Sequence, residues 1–250
     1  PISTKYKPRI TLDEKKEIKV YAKKNGIKIY IHGSYLLNFC HPLKPLNKLK
    51  WARDSLIEDL RIASEIGAKG VVIHMGKSKE IKLNEAYKNM RDNIKYVLKK
   101  TPSNTIIYFE TPAGLGTEIG VLLKDFAMLY KLFTKVERER IFICLDTCHI
   151  FVSNSENRIN TENGIKNYLK KFDKLIGLKN IKLIHLNDSN YPIGAKRDKH
   201  MPLGDGYIYC SGKKNTGLQY LVKFAYKNDI PMILETKDKF KRDIKMVKGF

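Results

Sequence analysis

The chain has 250 residues, enough to bury a substantial core and the usual size of one β/α barrel. Its 42% hydrophobic and 30% charged residues are ordinary for a globular protein, but 48 Lys+Arg face 26 Asp+Glu, a net charge of +22. No run is long enough to span a membrane and no secretory signal is visible, while so positive a charge favours a polyanionic partner, above all nucleic acid.

Residues 1–10 are polar and extended, with two prolines. Thr11, with Glu14 three residues on, is a capping box that opens a helix over 12–25, closed by Gly26. A strand over Ile27–His32 follows, then a loop over 33–45 carrying exposed aromatic and aliphatic residues. The spacing of Leu56, Ile57, Leu60 and Ala63 predicts an amphipathic helix over 47–66, ending at Gly67. Gly70–His74 reads as a strand, followed by a basic loop and a helix over 83–100. Thr105–Glu110 is the next strand, and a Gly-rich loop leads from it into a helix over 121–134. The stretch Arg140–Phe151 begins as a buried strand that ends in Asp146, with His149 three positions into the following loop. A polar loop over 152–164 precedes a helix over 165–176. Ile181–Asp188 is a strand, and the long segment 189–217 holds Gly194, Asp198, His200 and L-G-D-G at 203–206. Loops of that length are usually functional or disordered. A helix over 217–228, a strand at Pro231–Glu235 and a short basic helix within 237–250 complete the chain.

The pattern is strand-like runs that each close on His, Asp or Glu, one βα unit apart. Chemistry at the C-terminal strand ends is the arrangement of open α/β sheets and β/α barrels. No linker or composition break divides residues 1–250, so the expectation is one β/α-barrel domain of (β/α)8 type. Six strands are visible where a closed barrel needs about eight. The first βα unit and most of the second strand are therefore expected before Pro1, with Ile2–Tyr6 as the tail of that strand.

The candidate metal ligands are His32, His74, Glu110, Asp146, His149, His185, Asp198, His200 and Glu235. So many ionisable groups on one rim need compensation, which metal supplies. Imidazole and carboxylate without thiolate suit Zn²⁺ best, with Mn²⁺ or Fe²⁺ as substitutes. At about three or four protein ligands per ion, nine imply two or three ions. Asp198 and His200, at i and i+2, share one face of an extended segment and can bind one ion. A multi-metal site suits phosphodiester hydrolysis, and Lys196, Arg197 and Lys199 around Asp198 suit a nucleic-acid backbone. The four cysteines (Cys40, Cys144, Cys148, Cys210) form no C-x-x-C pair and read as buried or free thiols of a reducing, intracellular compartment: cytoplasm, nucleus or virion. His41 reads as structural.

The motifs H-G-S-Y-L-L-N with H-P (32–42), E-T-P-A-G-L-G-T-E-I-G (110–120), C-L-D-T-C-H (144–149), H-L-N-D (185–188), G-A-K-R-D-K-H with L-G-D-G (194–206) and I-L-E-T (233–236) stand in one order along the chain. In this the sequence resembles the endonuclease IV class of apurinic/apyrimidinic endonucleases. The resemblance implies a β/α barrel with three Zn²⁺ ions that cuts double-stranded DNA 5′ to an abasic site and leaves a 3′-hydroxyl. Carried over by position, His32 and His74 hold one zinc, which Glu110 bridges to a second. Asp146, His185 and Glu235 complete the second, and His149, Asp198 and His200 hold the third. Glu110 and Glu235 become the candidate catalytic carboxylates, and Tyr35 and Leu36 match the DNA-binding wedge that fills the gap left by a flipped nucleotide. The sequence departs from the family in Glu110–Thr111–Pro112, where Glu–Asn–Thr is usual, and in Asp205, where Glu is usual. The implied enzyme acts as a monomer.

Two other readings explain less. A metal-dependent sugar isomerase or epimerase on the same barrel accounts for Glu110, Asp146, His185 and Glu235, but not for Asp198-x-His200 or the charge. A non-catalytic nucleic-acid-binding protein accounts for the charge alone and should be metal-free.

Overall fold

The structure, a computed structural model, describes residues 10–42, 46–209, 215–236 and 239–250. The expected N-terminal extended stretch, the Ile2–Tyr6 strand tail and Cys210 lie outside them. In chain order the elements are α1 (Leu12–Lys24), β1 (Ile31–His32), α2 (Leu46–Ile66), β2 (Val71–Ile73), α3 (Leu83–Lys100), β3 (Ile107–Glu110), α4 (Leu123–Lys131), α5 (Lys135–Arg138), β4 (Ile141–Asp146), α6 (Thr147–Ser153), α7 (Glu162–Leu175), β5 (Ile181–His185), β6 (Asp188–Ser189), β7 (His200–Met201), α8 (Gly217–Lys227), β8 (Met232–Ile233) and α9 (Phe240–Lys248). They form two compact units, Pro1–Phe109 with Leu132–Phe142, and Glu110–Lys131 with Ile143–Phe250.

In the first unit β1, β2 and β3 run parallel, with Ile31 opposite Val71 and Val72 opposite Tyr108. All of β2 and β3 is buried, as continuous apolar strands covered on both faces should be. The Thr11–Glu14 capping box forms, each side chain accepting the other's backbone N–H at 3.2 and 2.7 Å. α1 packs on α2 and α2 on α3, whose Met90, Ile94 and Val97 are fully buried at three- and four-residue spacing. The strand expected over Ile27–His32 is shorter. Its first residue completes the end of α1, the Ile27 N–H donating to the Ala22 carbonyl at 2.8 Å, and only Ile31 and His32 join the ladder.

In the second unit β4, β5 and β8 run parallel and bring Asp146 opposite His185, and His185 opposite Ile233. α7 packs on α8 and α4. Within the long segment after β5, β6 and β7 pair antiparallel, with Ser189 opposite His200. Three expectations need correction. His149 is not in a loop: Asp146 caps α6 at once, and the whole of Thr147–Ser153 is buried helix. The helix expected over 121–134 stops at Lys131, and a new short helix starts from Thr134, whose capping box with Glu137 resets the backbone. α7 starts at Glu162 rather than 165 because Thr161 caps it, accepting the Gly164 N–H at 3.1 Å.

Among the described residues no helix is long and apolar enough to cross a membrane.

Candidate metal centre

The strands β1 to β5 and β8 each end on, or within two residues of, a histidine or carboxylate. In the first unit, His32 ends β1 and His74 follows β2, their rings edge-to-face with centroids 5.2 Å apart. His32 Nδ1 lies 2.8 Å from the Gly33 carbonyl, an acceptor only, so the neutral ring carries its proton on Nδ1 and its lone pair on Nε2.

The second unit gathers seven of the nine candidates. Glu110, Asp146 and His185 end β3, β4 and β5 and are 1%, 0% and 2% exposed. Glu235 lies two residues beyond β8. His185 Nδ1 is 2.8 Å from Glu110 Oε1, 3.1 Å from Glu235 Oε2 and 3.8 Å from Asp146 Oδ2. Beside these groups, His149 donates Nδ1–H to the Thr111 carbonyl at 3.0 Å, which leaves its Nε2 facing Asp198 Oδ2 at 3.2 Å. His200 Nε2 meets the other oxygen of Asp198 at 3.2 Å and lies 3.6 Å from Asp146 Oδ2.

His149 Nε2 and His200 Nε2 face each other at 3.5 Å. Two imidazole nitrogens at about 2.0–2.1 Å from a tetrahedral zinc stand roughly 3.3–3.4 Å apart, so this separation fits one ion, with Asp198 as a third ligand. The i, i+2 spacing of Asp198 and His200 works as expected because His200 lies in extended backbone in β7.

The electrostatics also call for cations. Four carboxylates and three imidazoles share this part of the second unit. Burial pushes the Asp146 carboxyl up. Burial alone would lower His149 and His185, but the surrounding groups, Asp146 and Asp198 for His149 and Glu110 for His185, hold both well above the usual histidine range. His200 is raised in the same way. Burial would raise Asp198, yet its bonds to His149 and His200 hold it far below the carboxylate range, and His185 draws Glu235 down to about 2. Metal-free, the cluster balances itself with protons that cations would replace.

Cys144 lies within ligand distance of Glu110 and His185, and Cys148 of Asp146 and His200. Burial keeps both thiols protonated, Cys144 and likewise Cys40 pushed to about 12, as expected of inert packing residues. His41 contacts Asn38 at 3.2 Å, inside a network that ties 38–41 to Lys77, Asn89 and Asn93. Tyr35 and Leu36 project from the turn after β1, 61% and 48% exposed. The rest of that loop corrects the expectation of exposed apolar residues: Leu37, Phe39 and Cys40 are buried. Asp205, the departure in L-G-D-G, pairs with Lys239 at 3.0 Å and Arg242 at 3.1 Å.

Three polar residues that sequence reasoning passed over shape the cluster. Thr111 accepts the Asp146 N–H at 2.9 Å, Thr147 accepts the Asn187 N–H at 2.8 Å, and the buried Asn187 side chain reaches two of the carboxylates. Their signal lay in E-T-P-A, D-T-C-H and H-L-N-D, where a buried Thr or Asn beside an ionisable residue needs a polar partner.

A family model described as xylose isomerase-like TIM barrel matches residues 3–247. A protein of Persephonella marina named probable endonuclease 4 is 36% identical over 93% of this chain and 79% of its own length. A candidate endonuclease 4 of Acanthamoeba polyphaga mimivirus is 37% identical over 85% of this chain and 67% of its own. The crystal structure of endonuclease IV from Thermus thermophilus superposes with a TM-score of 0.76 at 23% identity, covering 98% of this chain and 82% of that one. A D-tagatose 3-epimerase-like protein gives 0.69 at 15% identity, covering 96% and 81%. These likenesses identify the fold as the TIM-type β/α barrel.

Proposed function

This chain belongs to the endonuclease 4 family of xylose isomerase-like TIM barrels, and we propose that it is a metal-dependent DNA-repair endonuclease that hydrolyses the phosphodiester 5′ to an abasic site and leaves a 3′-hydroxyl. The observation that carries this reading is the His149–Asp198–His200 group, two facing imidazoles and a shared carboxylate, beside Glu110, Asp146, His185 and Glu235. Its proposed metal ligands are these seven and the His32–His74 pair, and its proposed ions are three Zn²⁺, with Mn²⁺ or Fe²⁺ as substitutes. When bound, such ions activate water for attack and offset charge on the attacking and leaving oxygens.

The protein's own groups have distinct tasks. Glu110 and Glu235 are the proposed catalytic carboxylates: Glu110 is buried, while the Glu235 side chain is a quarter exposed and within reach of substrate. The Thr111 carbonyl holds His149 in the tautomer that presents Nε2. The net charge of +22, with Lys196, Arg197 and Lys199 around Asp198, draws in a polyanionic backbone. An abasic nucleotide has no base to unstack, so extruding it costs little, and the exposed Tyr35 and Leu36 are suited to fill the gap. A sugar epimerase on this barrel would leave Asp198 and the charge without a task.

The test is incision of an end-labelled duplex carrying one stable abasic analogue, before and after prolonged chelation and zinc restoration. A single cut 5′ to the lesion, lost on chelation and regained with zinc, is the expected result. A folded, zinc-loaded chain that leaves the duplex intact would overturn the proposal, and sugar epimerisation would be assayed next.

A further inference from the structure

Asn187 is fully buried, yet it lies outside the proposed ligand set. Its backbone is already pinned: its N–H donates to Thr147 Oγ1 at 2.8 Å, and its carbonyl accepts from the same hydroxyl at 2.5 Å. The side chain is therefore available for another task. Its Oδ1 accepts the Glu235 backbone N–H at 3.0 Å, and because that group can only donate, the amide orientation is fixed. Its Nδ2 then points at two carboxylates, 2.7 Å from Asp146 Oδ2 and 2.9 Å from Glu235 Oε2. Each amide hydrogen serves a different carboxylate.

One neutral group thus ties together the ends of β4, β5 and β8. Two carboxylates meeting at one point, Asp146 fully buried and Glu235 a quarter exposed, repel each other, and their side chains have rotamers that would separate them. The amide opposes that separation without adding charge, and it occupies one lone pair on each bound oxygen, which leaves the others for a cation. Lysine or arginine would bind the pair more strongly but would place a fixed positive charge where an ion must enter.

We propose that Asn187 is the positioning residue that makes Asp146 and Glu235 act as one metal-ligand pair. The inference rests on the metal-dependent reading above and extends it to a residue that touches no ion. Losing such an outer partner typically weakens metal affinity about 10–100-fold.

The experiment titrates Zn²⁺ against a chromophoric chelator, and counts retained zinc per chain, for the full chain and three variants. Asn187→Leu removes both donated bonds at similar volume. Asn187→Ser keeps the backbone ties and serves if the leucine variant does not fold. Asn93→Leu removes an equally buried amide that binds the Phe39 carbonyl and Arg53 and touches no carboxylate, so it controls for lost stability. Both Asn187 variants are expected to release zinc at chelator strengths about 10–100-fold lower than the parent chain, with Asn93→Leu matching the parent. Folded Asn187 variants with parental zinc affinity would overturn the inference while leaving the metal reading intact. A parent chain that binds no zinc would overturn both, so the two failures are distinguishable.

Discussion

Asp188 offers the sharpest structural prediction, because its carboxylate organises a loop and contacts no imidazole of the cluster. Oδ1 accepts the N–H groups of Ser189 at 2.8 Å and Ile208 at 2.7 Å, and Oδ2 those of Gly204 at 3.0 Å and Tyr209 at 3.4 Å. Gly206 packs against it so closely that an added Cβ would lie 2.5 Å from Oδ1 and closer still to the Ser189 carbonyl. Asp188→Ala leaves those amides without their acceptor. A hydrogen bond to a charged group contributes roughly 1.5–3 kcal/mol; with three short bonds lost and water entering the space to replace part of them, a value just under the low end of the sum, about 4 kcal/mol, is expected. For a chain of this size that lowers Tm by about 8–16 °C. The assays are a thermal melt and amide exchange at Gly204 and Ile208, which should become fast. Zinc affinity should also fall, because β6 sets the position of His200 through its pairing with β7. Gly206→Ala should act in the same direction by clash. A melting shift of less than about 3 °C, with exchange still slow, would refute the reasoning.

Three further outcomes follow from the cluster and the surface. Zinc at about 1,000 times its Kd should add about 4 kcal/mol per site, raising Tm by about 8–16 °C over the chelated chain, whereas coincident melts would count against a metal centre. In the metal-free chain, His149, His185 and His200 have raised pKa values, so their stabilisation is complete below pH 6.5 and is lost as pH rises through the raised values. Asp198 and Glu235 are lowered, so theirs is lost only as pH falls through their depressed values, about 2 for Glu235. Metal-free melts should therefore decline on the alkaline side while zinc affinity rises there, with protons released on binding; calorimetry in buffers of different ionisation enthalpy would reveal their absence. Tyr35→Ala with Leu36→Ala should leave stability within about 0.5 kcal/mol, since both side chains are exposed, yet weaken binding to an abasic duplex; equal affinity would remove the wedge role.

The sequence exposed the strand ends because a buried apolar run that stops at His, Asp or Glu has few explanations, and helices such as 83–100 because their apolar period is unbroken. It concealed what depends on local capping. Asp146 serves both as a strand-terminal carboxylate and as the N-cap of α6, its Oδ1 accepting the His149 N–H at 2.8 Å, so the helix starts with no turn residue to mark it. Thr134 and Thr161 reset helix starts in the same way. The β6–β7 pair was hidden because two-residue strands carry no periodic signal, although they place His200 opposite Ser189. Asn187 was readable only as one letter of H-L-N-D, since the value of an amide depends on which carboxylates it meets.

The charge distribution links these parts. A surface of +22 attracts a phosphate backbone, but the second unit's four clustered carboxylates would repel the same phosphates at short range. Protons on the histidines offset only part of that, and they are lost as pH rises. Cations in the cluster change the sign of the local field while the distant basic surface stays as it is. If the proposed function holds, zinc and DNA must favour each other's binding, and linkage makes the effect reciprocal. Added abasic duplex should then tighten zinc retention by the same factor by which zinc tightens the duplex. Salt should weaken the long-range attraction strongly and the buried coupling only slightly, because screening acts on exposed charges. Measuring duplex affinity with and without chelator across a salt series separates the two contributions. A chelator effect that vanishes with rising salt would place the coupling on the surface instead of in the cluster.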